Sequence, residues 1–131
     1  MKWLYTALCL SLAFGVYAQN GYTLTLCSKL DKNGNCIDSS DTFKWNGDKQ
    51  KLTLRVTNPK QLQANKLIYT IYSMKNQNDG DVYARLILYV KPEWAPATKD
   101  IYFITPGYYK IEVTNEGSRL LGVTYMTLLD R

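Results

Sequence analysis

The sequence predicts an all-β fold, a single antiparallel β-sandwich, and three observations carry that prediction. Short segments alternate polar and apolar residues with a period of two. Clusters of Gly, Pro, Asn and Asp separate them at regular intervals. Tyr, Thr, Ile and Val are plentiful, and no segment sustains a 3.6-residue apolar period. Two sheets can bury such alternating faces against each other, which makes a sandwich of about eight strands the natural architecture and a small closed barrel its rival.

The elements follow in order. Tyr22 to Cys27 alternates as a half-buried strand does. Thr42 to Trp45 does the same before an Asn46-Gly47 turn. Lys51 to Thr57 is the cleanest alternation in the chain: Leu52, Leu54 and Val56 face inward, Thr53, Arg55 and Thr57 outward, and Asn58-Pro59 stops the strand. One short helical turn is allowed between Pro59 and Lys66. Lys66 to Met74 is rich in Ile, Tyr and Thr and ends in the polar run before Gly80. Val82 to Val90 is apolar at nearly every position, the pattern of a central strand buried on both faces. Pro92 and Pro96 bracket a loop carrying Trp94. Strands at 101–104, 108–114 and 119–129 complete the set, with turns at Pro106-Gly107 and Asn115-Glu116-Gly117.

Residues 1–18 read as a signal peptide rather than as part of the fold. Lys2 is the only charge before Lys29, an apolar run extends from Trp3 to Val16, and Val16-Tyr17-Ala18 supplies small residues at a cleavage site before Gln19. About 14 apolar residues fall short of the ~20 that span a bilayer. Cleavage leaves residues 19–131 as the β-sandwich domain, removes Lys2 so that the formal charge falls from +5 to +4, and removes Cys9. The remaining pair, Cys27 and Cys36, is expected to form a disulfide, as suits an exported protein in an oxidising compartment. A tight Asn33-Gly34 hairpin would set Cys36 against Asp31 and keep the thiols apart, so the bridge predicts an irregular ten-residue stapled loop.

Residues 104–118, Ile104-Thr105-Pro106-Gly107-Tyr108-Tyr109-Lys110-Ile111-Glu112-Val113-Thr114-Asn115-Glu116-Gly117-Ser118, resemble the late hairpin of bacterial immunoglobulin-like modules. The stretch is similar to the Pro-Gly-x-Tyr pattern of PKD and fibronectin type III domains. The resemblance implies an immunoglobulin-like or jelly-roll-like sandwich and no specific family. Pro106 and Gly107 make the turn, Tyr109, Ile111 and Val113 point into the sandwich, and the Tyr109 hydroxyl is placed to tie its strand to the preceding loop.

Composition narrows the chemistry. The chain has no His, the commonest general base near neutral pH and the commonest metal ligand, and none of its eleven carboxylates sits in a recognisable acid–base context. The expectation is a protein without enzymatic activity and without a cofactor. The positive charge is spread along the chain with no cluster of four Lys or Arg, which argues against nucleic acid. Asp31, Asn33 and Asn35 have the spacing that opens a calcium loop, but Cys36 and Thr42 stand where such a loop needs Gly and Glu. An ordinary Asn-Gly turn is the competing reading.

After cleavage the chain keeps nine Tyr, two Trp and two Phe. Trp94, Tyr83, Tyr89, Tyr72 and Tyr102 are the candidate contact aromatics, the four tyrosines as a row on one sheet face that could stack on sugars or meet a protein. Packing at core edges is the plainer use of such residues. The functional expectation is an exported binding protein, secreted, periplasmic or at the surface of a bacterial cell. It would be a structural or accessory subunit of an envelope assembly, with a protein partner and membrane association only through that partner. A carbohydrate-binding module and a small secreted enzyme inhibitor are the alternatives.

Overall fold

The computed structural model describes the backbone of residues 16–18 and 21–130, and the side chains of 21–130. The expected signal peptide, residues 1–18, lies outside the described residues except for its last three. All eleven strands among the described residues belong to sheets, and these residues contain no helix.

Two sheets face each other. The smaller has the order β2-β6-β9, from Thr23–Cys27, Gln50–Thr57 and Pro96–Phe103. The larger runs β1-β11-β10-β7-β8, from Val16–Ala18, Leu120–Leu129, Gly107–Asn115, Lys66–Met74 and Gly80–Tyr89. A short β5, Thr42–Lys44, pairs in parallel with β11 at Thr127–Leu129. The alternation of each strand delivers its apolar half to the space between the sheets: Leu24 and Leu26 from β2, Leu52, Leu54 and Val56 from β6, Ile101 and Phe103 from β9, Leu67, Tyr69 and Ile71 from β7, Tyr109, Ile111 and Val113 from β10. The chain crosses between the sheets at β5–β6, β6–β7, β8–β9 and β9–β10 and makes the hairpins β7–β8 and β10–β11 within the large sheet, so that two sheets enclose one core as in a β-sandwich.

The Cys27–Cys36 disulfide is present, with the two Cα atoms 5.6 Å apart. The loop it closes is more regular than the sequence suggests. Lys29–Leu30 (β3) and Cys36–Ile37 (β4) form a small antiparallel ladder with Leu30, not Asp31, opposite Cys36. That register leaves Cys36 free to meet Cys27 at the end of β2. The loop tip is docked as well, since Arg55 Nε donates to the Gly34 carbonyl at 3.1 Å. Thr53, on the outward side of β6 between Cys27 and Asp100, is buried, and its hydroxyl donates to Asp100 at 2.8 Å.

Three expectations are corrected. The 59–66 segment has no helical turn: Gln61 and Gln63 take positive φ, and the segment pairs by its backbone with the β8–β9 loop. Leu62 N donates to Trp94 O at 2.6 Å and Gln63 N to Pro92 O at 2.8 Å. The 82–90 segment is not a central strand. It forms β8, the edge of the large sheet, paired on one side only, with β7. Its apolar residues are therefore split between the core and solvent. The strand count exceeds eight because β1, β3 and β4 are two- or three-residue pairings with no pattern of their own, whereas β5 is the expected strand at Thr42 to Trp45.

The expected boundary after Ala18 coincides with the end of β1, which runs antiparallel to β11 through Val16↔Thr124, Tyr17↔Val123 and Ala18↔Gly122. Cleavage there would uncover that part of the β11 edge and leave β5 on the rest.

Candidate functional site

The large sheet shows an outward face built from the residues that alternate with its core positions. Register sets them in rows. Val82, Tyr72, Lys110 and Tyr125 lie side by side across β8, β7, β10 and β11. Arg85, Thr70, Glu112 and Val123 form the next row, and Ile87, Ile68 and Thr114 the one beyond. Tyr108 stands diagonally from Tyr125, and the two rings stack at 6.0 Å with 14° between their planes. Lys110 holds the centre: its Nζ lies 4.8 Å above the Tyr72 ring and 3.3 Å from Glu112 Oε2, while the Tyr72 hydroxyl donates to Glu112 Oε1 at 3.3 Å. Burial, with Tyr125 adding to it, pushes the Tyr108 phenol above its ordinary value. The β8 border of this face is the most apolar part: Val82, Ile87 and Tyr89 are 61%, 45% and 73% exposed.

The five candidate aromatics are not brought into one row. Tyr72 and Tyr89 do lie on this face. Tyr83 points inward instead, because β8 carries a bulge there: Ile71 pairs with Ala84 and Tyr72 with Val82, leaving Tyr83 as the extra residue. The bulge aims Tyr83 between the sheets, where its ring stacks on Phe103 at 5.8 Å and meets Tyr109 edge-on at 5.3 Å. Its hydroxyl accepts from Ile104 N at 2.9 Å. Tyr102 sits on the outer face of the small sheet, with Lys49 Nζ 4.5 Å above its ring. Trp94, 42% exposed, occupies the end loop paired with residues 61–63.

Sequence reasoning missed Tyr108, Tyr125, Lys110 and Glu112. The alternation read for Tyr109, Ile111 and Val113 already placed Tyr108, Lys110 and Glu112 on the opposite face. What the sequence did not supply was the neighbour: β7 precedes β10 by more than thirty residues, and only pairing sets Tyr72 beside Lys110.

The remaining candidates have structural uses. Asp31 Oδ1 accepts from the backbone N–H of Asn33 at 2.8 Å and of Asn35 at 2.9 Å, and Gly34 takes φ of 83°. The carboxylate thus closes an Asx-type turn. Among the described residues no group of three His, Cys, Asp or Glu side chains gathers as a metal centre would require. Pro106 and Gly107 turn the chain into β10, and the Tyr109 hydroxyl donates to Thr105 O at 2.8 Å. No helix among the described residues is long and apolar enough to cross a membrane.

No protein-family model and no curated protein sequence matches the chain. Among solved structures it is similar to the soluble domain of PmoD from Methylocystis sp., with a TM-score of 0.54, 11% identity, and 86% of this chain and 95% of that chain covered. It is also similar to an immunoglobulin-like protein from Pseudomonas aeruginosa, with a TM-score of 0.48, 12% identity and the same coverages of 86% and 95%. At such identities the likeness speaks to the fold alone, and that fold is a β-sandwich.

Proposed function

We propose that this chain is an exported, non-enzymatic interaction module that binds a protein partner through the outward face of its large sheet. The observation that carries the reading is the row from exposed Val82 through half-buried Tyr72 to half-buried Tyr125, bordered by exposed Ile87 and Tyr89. Aromatic and aliphatic anchors around a central charged group are what protein interfaces concentrate. The Cys27–Cys36 disulfide supports an oxidising compartment outside the cytoplasm.

The arrangement favours a protein over a sugar. Stacking on a pyranose needs a free ring face. Tyr72 and Tyr102 each carry a lysine ammonium over a face, and Tyr108 and Tyr125 are spent on one another. Contact with a protein needs no such face and can use the rings edge-on together with Lys110 and Glu112.

The test compares two tyrosine variants in affinity capture from the native source. Tyr125→Ser alters the proposed face, and Tyr102→Ser alters the opposite sheet. A partner held by the wild type and by Tyr102→Ser, and lost with Tyr125→Ser while both variants keep their circular dichroism, supports the reading. A partner held equally by all three chains overturns it.

A further inference from the structure

The edges of this sandwich are not treated alike. On the small sheet, β9 starts at Pro96 and turns Lys99 toward the core side, between Ala97 and Ile101. Both are devices that blunt an edge against pairing. On the large sheet, the outer edge of β11 is occupied by β5 at Thr127–Leu129, and at Gly122–Thr124 by β1, which cleavage after Ala18 would remove to leave only a three-residue opening. The edge of β8 has neither device nor cover over its regular part. Seven residues, Ala84 to Val90, follow the Tyr83 bulge without Pro, Gly or Lys, and Arg85 is their one charge.

The direction of the free backbone groups can be read from the ladder. Val90 N donates to Asn65 O at 3.1 Å, so the polar groups of Val90 face β7. Alternation then turns those of Leu88, Leu86 and Ala84 toward β7, and those of Tyr89, Ile87 and Arg85 toward the open edge. The same three residues carry their side chains on the outward face.

We propose that two copies of this chain pair antiparallel through β8 about a two-fold axis at Ile87, joining their large sheets into one. The register follows from charge and from the bulge. An axis at Ile87 sets Ile87 against Ile87 of the second copy and Arg85 against its Tyr89, where a guanidinium can lie on a phenol ring. All seven residues are used, Ala84 meeting Val90 and Leu86 meeting Leu88, and the outward N–H and C=O groups of Arg85, Ile87 and Tyr89 meet their counterparts directly. An axis at Arg85 opposes two guanidinium groups, and like charges directly opposite are destabilising. An axis at Leu88 opposes Arg85 to Lys91 and brings in Pro92. An axis at Leu86 runs Tyr89 into the bulge. Self-pairing at this edge goes beyond the partner-binding reading and neither needs nor supplies a partner for the face.

Light scattering after gel filtration, with sedimentation over about 10 to 500 µM, tests this through the concentration dependence of mass. The wild type is expected to give the mass of two chains at the upper end and to fall toward one on dilution. Ile87→Lys opposes two ammonium groups at the axis and should weaken association by about tenfold or more. Ile87→Cys should form a symmetric disulfide between copies, because directly opposed hydrogen-bonded residues lie with Cα atoms about 5.5 Å apart, inside the bridging range. Val82→Cys, beyond the bulge, should not. Tyr125→Ser should leave the mass unchanged, which separates edge pairing from association through the face. A wild type that stays a single chain at every concentration overturns the proposal, and so does a dimer that Ile87→Lys leaves intact.

Discussion

Tyr69 is the side chain whose replacement says most about the core. It sits on β7 opposite Leu86 and Val113, is 0% exposed, and its hydroxyl is the one buried side-chain polar atom among the described residues with no hydrogen-bond partner. Burial alone drives its phenol pKa far above the ordinary value. Tyr69→Phe keeps the ring packed and deletes the unsatisfied group. An unpaired buried hydroxyl costs about 1–3 kcal/mol, and the space left by one oxygen returns a few tenths of that at ~24 cal/mol per Å³. The variant should therefore be more stable than the wild type by about 0.5–2 kcal/mol, with its melting temperature raised by about 2–10 °C for a domain of this size. Urea unfolding is the assay, with the m-value unchanged and the midpoint moved upward. A loss of 1 kcal/mol or more would show that the hydroxyl has a partner in solution, such as an ordered water, and would refute the reasoning.

Three further outcomes are expected. Tyr109→Phe should go the other way, losing about 1–2 kcal/mol by urea unfolding, because its hydroxyl bonds Thr105 O at 2.8 Å and Thr105 Oγ1 at 2.9 Å and removal leaves that carbonyl without its donor. Reducing Cys27–Cys36 should lower the melting temperature by about 10 °C, the loop-closure contribution of a short loop being about 2–3 kcal/mol, and an unchanged value would deny the staple any role in stability. Glu116 is held below the usual carboxylate range, first by its own backbone N–H and then by the N–H groups of Asn65 and Lys66 and the Asn65 amide. A lowered native pKa means stability present above the unfolded value and lost as pH falls through the native one. Stability should thus decline slightly more steeply below about pH 4.5 in the wild type than in Glu116→Gln, by urea midpoints across that range.

Alternation made the sandwich legible, since each long strand announces its own inward half. Leu52, Leu54 and Val56 needed no structure to be placed inward, and the role of Tyr109 followed from its position after Pro106-Gly107. Continuous hydrophobicity misled at Val82–Val90, because an edge strand that is apolar on both faces looks, residue by residue, like a central strand. Only the order of strands distinguishes the two. The same limit split the aromatic row. Tyr83 has the parity of an outward residue until the bulge shifts it by one, and no local signal marks the bulge. Tyr102 belongs to the other sheet, a fact of topology. Cys27 and Cys36 were found because few cysteines leave few pairings, whereas the Tyr72–Lys110–Tyr125 row depends on strands far apart in the chain.

Trp94 and Trp45 give the two ends of the sandwich separate optical reporters. Trp94 rides on the connection paired with Leu62 and Gln63, at the end of the sandwich where β8 finishes and β9 begins. Trp45 lies at the opposite end, its backbone N–H donating to Leu129 O at 2.7 Å beside β5 and β11. Trp94 is partly open to water, and Trp45 packs against the core. Emission from chains carrying only one of them would therefore distinguish an opening of the crossover end from a peeling of the C-terminal strand, without any attached dye.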